Sequence, residues 1–160
     1  MIRKFAPALG ILPLLAACNT NSAPGNDQEA QIDPPAKAAE IVAANAALAN
    51  VEPAVIKPET MTKADLSAIG EGPDCQFRMT EVGYPSFVFA ESGDGVVKLN
   101  GKLIPVPRIS DGHYASGALT VTTRMLDDSG DAGLQGMELI LMPPGAKDER
   151  GYLGYRSCRH

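Results

Sequence analysis

The segment Ala118-Leu119-Thr120-Val121-Thr122-Thr123-Arg124-Met125 decides the fold class. Its apolar residues Leu119 and Val121 alternate with the polar residues Thr120 and Thr122. A period of two residues is typical of a β-strand that buries one face and exposes the other. The segment therefore predicts an amphipathic strand, and the same period recurs on both sides of it.

Short strands separated by turn signals account for most of the chain after residue 75. Asn100-Gly101 lies between two apolar runs and is a strong hairpin signal. Pro105 favours an edge or the end of a strand, because proline lacks the N–H group that a central strand needs. Residues 127–133 are predicted to form a polar loop. The predicted strands cover residues 76–80, 86–90, 96–99, 102–106, 113–115, 118–125, 137–142 and 151–158.

Seven or eight short strands with tight turns predict a mainly β fold, either a small antiparallel β-barrel or a sandwich. A short helix is predicted just before them. Thr62 can cap its start, Asp65 three residues later comes close to a capping box, and Gly70 is placed to end it. We therefore assign residues 61–160 to a single β domain.

Residues 1–17 have the features of a signal peptide. Arg3 and Lys4 are followed by a run from Phe5 to Ala17 without charge, which is too short to cross a bilayer of ~30 Å as a helix. The run ends in Leu15-Ala16-Ala17-Cys18, which resembles the lipobox of bacterial lipoproteins. The resemblance implies that Cys18 receives a diacylglyceryl group and acyl chains such as palmitate, and that it anchors the mature protein in a membrane. A secretory signal with a chance cysteine, or a transmembrane anchor, is the alternative.

Residues 18–60 are predicted to link this lipidated cysteine to the domain. The polar stretch 19–35 cannot bury enough surface to offset its ordering entropy. An alanine-rich helix is predicted over residues 36–49, either as a spacer or packed on the domain. Asn19 follows the cysteine, and the sorting rule that the lipobox resemblance brings in favours the periplasmic face of the outer membrane, with the inner membrane as the alternative.

The cysteine count and the charge restrict the function further. If Cys18 carries lipid, Cys75 and Cys158 remain as an even pair in an exported chain, which favours a disulfide over two free thiols. The formal net charge of −5 argues against nucleic-acid binding. Nothing in the sequence points to an oligomer, and we expect a monomer.

Residues 75–158 resemble the MliC family, the membrane-bound lipoprotein inhibitors of C-type lysozyme. The matching features are Cys75-Gln76-Phe77, Val97-Lys98-Leu99-Asn100-Gly101-Lys102, Ile109-Ser110-Asp111-Gly112-His113-Tyr114 and Tyr155-Arg156-Ser157-Cys158. The resemblance implies an eight-stranded barrel with a bridge between the first and last strands.

The resemblance also implies a loop that enters the lysozyme cleft and places a serine between the catalytic carboxylates. We assign Ser110 to this role, and we assign Gly112, His113 and Tyr114 to the same partner-binding loop. Asp111 departs from the family pattern, because its negative charge opposes the approach to a cleft lined with carboxylates.

Other chemistry receives little support from the sequence. Ser110, Asp111 and His113 are triad residue types, but three residues so close in one loop rarely reach the required geometry. The acidic residues 127, 128 and 131 lack the spacing of a calcium loop, and the two histidines lack metal-ligand spacing. We therefore predict no catalytic activity, no metal and no cofactor. Two functions stay open, namely a lysozyme-inhibitor-like binding module and a structural envelope lipoprotein.

Overall fold

The computed structural model of the protein describes residues 36–159. The predicted signal peptide, Cys18 and the polar stretch 19–35 lie outside the described residues. No helix within the described range is long and apolar enough to cross a membrane.

Within residues 36–159 the fold is mainly β, as predicted. The helical elements are two short α-helices, α1 (Ala44–Ala47) and α2 (Lys63–Ile69), and one 3-10 turn, Pro53–Val55. The nine strands are β1 (Cys75–Arg78), β2 (Phe87–Phe89), β3 (Gly95–Leu99), β4 (Lys102–Val106), β5 (Arg108–Ser110), β6 (His113–Ser116), β7 (Leu119–Ser129), β8 (Gln135–Met142) and β9 (Arg150–Cys158).

All nine strands belong to one antiparallel sheet in the order β4-β3-β2-β1-β9-β8-β7-β6-β5. The two strands at the ends of this order are neighbours in the chain, because only Pro107 separates β4 from β5. The Ala115 N–H donates to the Pro107 carbonyl at 3.0 Å, so β6 follows directly beside the bend. β4 and β5 thus form one bent strand that pairs with β3 through β4 and with β6 through β5. The sheet therefore curls into a nearly closed barrel. Pro105 lies in this bent strand, as its chemistry predicts.

Aromatic and aliphatic side chains fill the inside of the barrel. Phe87 is the centre of this core, with its ring stacked on Phe89 and edge-on to Tyr114, both at a centroid distance of 5.1 Å. The fully buried residues around them alternate along their strands with outward-facing residues, as in Val97 and Leu99 of β3. This alternation is the pattern from which the strands were predicted.

Residues 39–59 contact the barrel, so the alanine-rich segment takes the packed arrangement, one of the two that were predicted for it. The predicted helix over residues 36–49 is wrong in length, and only α1 is helical. Upstream of it the chain is extended, and Ile41 forms a bridge with Leu103 of β4. Alanine favours a helix in isolation, but this edge contact and the burial of Ala44 and Ala47 outweigh a weak local preference.

Residues 42–58 cover one end of the barrel. The antiparallel order places the turns after β3, β6 and β8 at this end and the turns after β2, β5 and β7 at the other. At the covered end the Asn100 side chain donates to the Ala47 carbonyl at 3.0 Å, and Pro58 forms a bridge with Leu99. Leu48 and Ile56 join the barrel core. At the opposite end the loop between β1 and β2 contacts the turn after β7, where the Ala132 N–H donates to the Glu81 carboxylate at 2.9 Å.

Helix α2 packs on the outer face of the sheet, and its predicted capping box is present. The Asp65 N–H donates to the Thr62 hydroxyl at 3.1 Å, and the Thr62 N–H donates to the Asp65 carboxylate at 2.7 Å. The same carboxylate accepts hydrogen bonds from the Ala39 N–H and the Lys98 ammonium group, each at 2.7 Å. Through these bonds Asp65 connects the segment before α2, α2 itself and β3. Its side chain is buried, with 1% exposure.

The predicted disulfide is present between Cys75 and Cys158. The two cysteines are direct neighbours across β1 and β9, with their Cα atoms 4.0 Å apart. The bridge therefore fastens the first strand of the chain to the last, across a sequence separation of 83.

Candidate functional site

The predicted partner-binding loop is a hairpin that links β5 to β6. Ser110 pairs with His113, and Asp111 and Gly112 form the turn between them. Gly112 has a φ of +68°, and a Cβ atom there would lie 2.8 Å from the Thr123 carbonyl oxygen. Only glycine fits this left-handed position beside β7. The turn therefore has a fixed place next to β7, at the barrel end that residues 42–58 leave uncovered.

The tip of this hairpin is solvent-exposed, with Ser110, Asp111 and His113 all exposed and Gly112 half-buried. Ile109 is also 69% exposed and was not among the predicted site residues. A register shift between Arg108 and Ser110 turns it outward, and a local irregularity of this kind cannot be read from a three-residue strand.

Tyr114 does not belong to the exposed surface, and this part of the site prediction is wrong. It is 3% exposed, and its ring packs against Phe87 and Phe89. Burial raises the pKa of its hydroxyl above 10.0, although the charges of Arg108 and Arg156 oppose this shift. Tyr114 is therefore a neutral anchor that holds the base of the hairpin in the core.

The negative charge of Asp111 has a partner that the sequence analysis did not assign. The Arg108 guanidinium forms an ion pair with the Asp111 carboxylate, whose side chain is 98% exposed. The Arg108 N–H also donates to the Asp94 carboxylate at 2.9 Å, which ties the hairpin to the turn after β2. The spacing of three residues between Arg108 and Asp111 was the available signal. The ion pair reduces the net charge at the tip without removing it, because it is solvent-screened.

Two of the three triad residue types have other partners, Asp111 in Arg108 and His113 in Thr122. His113 Nδ1 lies 3.1 Å from the Thr122 hydroxyl on β7, so the ring is oriented by Thr122. Within residues 36–159 no group of three acidic, histidine or cysteine side chains is arranged to hold a metal ion. Asp127 and Asp128 lie at the end of β7, so the predicted loop over residues 127–133 is in part a strand.

The family described as "Domain of unknown function (DUF6692)" matches residues 14–160 of the chain. The match spans nearly the whole sequence, and the chain therefore belongs to this family. No curated protein and no solved structure matches the chain.

Proposed function

We propose that this protein is a lipid-anchored, non-catalytic binding module of the bacterial cell envelope, and that the β5–β6 hairpin is its contact site. The observation that carries the proposal is the exposed tip, with Ser110 in solvent, on a base that Tyr114 anchors in the core. A fixed loop loses little conformational entropy when it binds, which favours affinity.

The partner that we propose is a C-type lysozyme, on the strength of the sequence resemblance. Two features of the hairpin support this choice. Ser110 offers a hydroxyl that can donate to a carboxylate in a cleft, and the Arg108 guanidinium offsets part of the charge of Asp111. The hairpin lies at the barrel end opposite the one that residues 42–58 cover, and its tip is exposed to solvent.

Replacement of Ser110 by alanine is expected to weaken lysozyme inhibition about 10- to 100-fold, because a hydrogen bond to a charged group contributes about 1.5–3 kcal/mol. The measurement is lysis of a bacterial cell-wall suspension by C-type lysozyme, with full-length protein in mild detergent added. Ser67→Ala, at an exposed position on α2, is the matched control and should inhibit like the wild type.

Asp111→Asn in the same assay should strengthen inhibition, because it removes the repulsion and frees the Arg108 guanidinium. If neither the wild type nor Asp111→Asn inhibits at tens of micromolar, the lysozyme partner is excluded and the structural-lipoprotein function takes its place.

The lipid anchor is tested separately through Cys18, which lies outside the described residues. Cys18→Ser removes the thiol that accepts the lipid, so the precursor should stay unprocessed and lose labelling by radioactive palmitate. The wild type should partition into the detergent phase of a two-phase extraction. Normal processing and detergent partitioning of Cys18→Ser would show that residues 15–18 are not a lipobox.

A further inference from the structure

The long strand β7 extends beyond the strand that pairs with it on one side. The pairing of β7 with β6 ends at Thr122, and the Thr123 N–H makes one more bond, of 2.7 Å, to the Gly112 carbonyl. β7 continues for six further residues, from Arg124 to Ser129, and on the other side it pairs with β8, with a register shift between Met125 and Ser129. Within the described chain, no strand pairs with this part of β7 on the β6 side.

The backbone groups at this free edge belong to Met125 and Asp127. The Gln135 side chain of β8 donates to the Leu126 and Asp128 carbonyls, so these two residues direct their backbone groups towards β8. Residues of a strand alternate in the direction of their N–H and C=O groups. Met125 precedes the register shift and directs its groups to the unpaired side. Asp127 lies within the shift, but the carbonyls of both its neighbours face Gln135, so its own groups also point to the unpaired side, where another strand can bond to them.

The charges around the edge determine what kind of strand fits. Asp127 and Asp128 are exposed, and neither is in an ion pair with residues 36–159. Arg124, the only basic residue in this part of β7, is bound to Glu138 of β8. The adjoining hairpin turn adds the carboxylate of Asp111, which is shared with Arg108. The edge is therefore negative, with one exposed apolar side chain, Met125, at 44% exposure.

These charges disfavour a second copy of the chain as the occupant. Two β7 edges paired antiparallel would bring Asp127 and Asp128 of one copy next to the same residues of the other, and like charges opposite each other destabilise a strand pair. Charged residues at an edge also prevent unwanted sheet growth. A strand that carries lysine or arginine instead gains attraction from the same residues.

We propose that the free edge of β7 is a strand-addition site that binds an extended, basic segment of another protein. The segment would pair with Met125 and Asp127 through its backbone and with the flanking carboxylates through its side chains. Main-chain bonds supply the affinity in this mode of recognition, and side chains supply the choice of partner. The site does not use Ser110, and it shares only the charge of Asp111 with the lysozyme proposal.

The test uses the full-length protein in detergent and two fluorescein-labelled peptides, (Lys-Thr)4 and (Glu-Thr)4. Fluorescence anisotropy should detect binding of the basic peptide, and binding of the acidic peptide should be at least tenfold weaker. Asp127→Asn/Asp128→Asn should weaken binding of the basic peptide about tenfold, since two ion pairs are lost. Asp148→Asn/Glu149→Gln makes the same change in net charge in the exposed loop after β8 and should have no effect.

Amide hydrogen exchange locates the bound peptide. Binding should slow the exchange of the Met125 and Asp127 amides and leave the amides at the covered barrel end unchanged. Asp127→Pro removes one of the two edge donors and should abolish the protection, and its circular dichroism spectrum shows whether it is folded. Ser110→Ala should bind the peptide like the wild type. Equal binding of both peptides, an equal loss in the Asp148/Glu149 variant, or unchanged exchange of Met125 and Asp127 would overturn the proposal.

Discussion

Asp65→Ala is expected to lower the free energy of unfolding by about 3–5 kcal/mol, because it leaves the Lys98 charge without its buried partner. The Lys98 and Asp65 side chains are 12% and 1% exposed, so water replaces the lost contact poorly. The substitution also leaves the Ala39 N–H without its acceptor and removes half of the capping box of α2. Chemical denaturation with two spectroscopic probes measures the change.

Two controls separate this buried contact from ordinary surface charge. Glu40→Gln breaks the exposed pair with Lys102 and should cost less than about 1 kcal/mol. The double substitution Asp65→Asn/Lys98→Met removes both charges and should be less destabilising than the sum of the single substitutions. A loss at Asp65 no larger than the loss at Glu40 would contradict the buried role.

The same carboxylate makes stability depend on pH. Burial by itself would raise the pKa of Asp65, but the hydrogen bonds from Lys98, Ala39 and Thr62 outweigh it and lower the pKa from 3.8 to about 2. Because the pKa is lower in the folded state, this contribution is complete above pH 3.8 and is lost as the pH falls through about 2. It amounts to about 2 kcal/mol. The fall in stability between pH 5 and pH 2 should therefore be smaller in Asp65→Asn than in the wild type.

Cys75→Ala/Cys158→Ala is expected to reduce stability by about 4–5 kcal/mol, the value that the chain-entropy model gives for a loop of this length. The melting temperature should fall by roughly 10–20 °C. Because β1 and β9 pair through four residue positions besides the covalent bond, the variant should still fold at low temperature. Thermal unfolding followed by circular dichroism measures the difference.

The matched control for the disulfide is chemical reduction of the wild type. Reduction should lower the melting temperature by the same amount as the double substitution and should slow migration in a denaturing gel. The native protein should not react with an alkylating reagent at these two positions. Rapid alkylation of both cysteines in the native protein, or equal melting temperatures with and without reductant, would contradict the stabilising role of the bridge.

Much of the fold could be predicted because its local signals agree with the final packing. The alternation of Leu119 and Val121, the turn at Asn100-Gly101 and the cap formed by Thr62 and Asp65 all appear where the sequence placed them. Residues 36–60 could not be predicted in the same way. Their alanines carry a helical preference, whereas their structure depends on contacts with strands that lie more than forty residues further along the chain.

The turn at the candidate site could be predicted from the sequence, but which of its residues are exposed could not. Asp111-Gly112 marks a tight turn in any strand context, and it forms one. The family resemblance placed Tyr114 in the binding loop, whereas it lies on β6 opposite the buried Val121, and a strand of four residues is too short to show its inward face from the sequence. Nor could it show the free edge of β7, since the relative lengths of β6 and β7 are fixed only by the completed sheet.

The bridge between Cys75 and Cys158 also has a mechanical consequence. A protein held at its N-terminus and bound to a partner through the barrel would experience tension along residues 36–74. The bonds of Ala39 to Asp65 and of Val42 to Leu103 are the first to resist it. If they yield, about 40 residues can extend to a length of about 130 Å. Tension entering at Cys75 is then shared between β1 and β9, because the covalent bond joins the two strands at Cys158. The segment before β1 would act as an extensible arm, and the barrel with its contact surfaces would keep its shape while the arm lengthens.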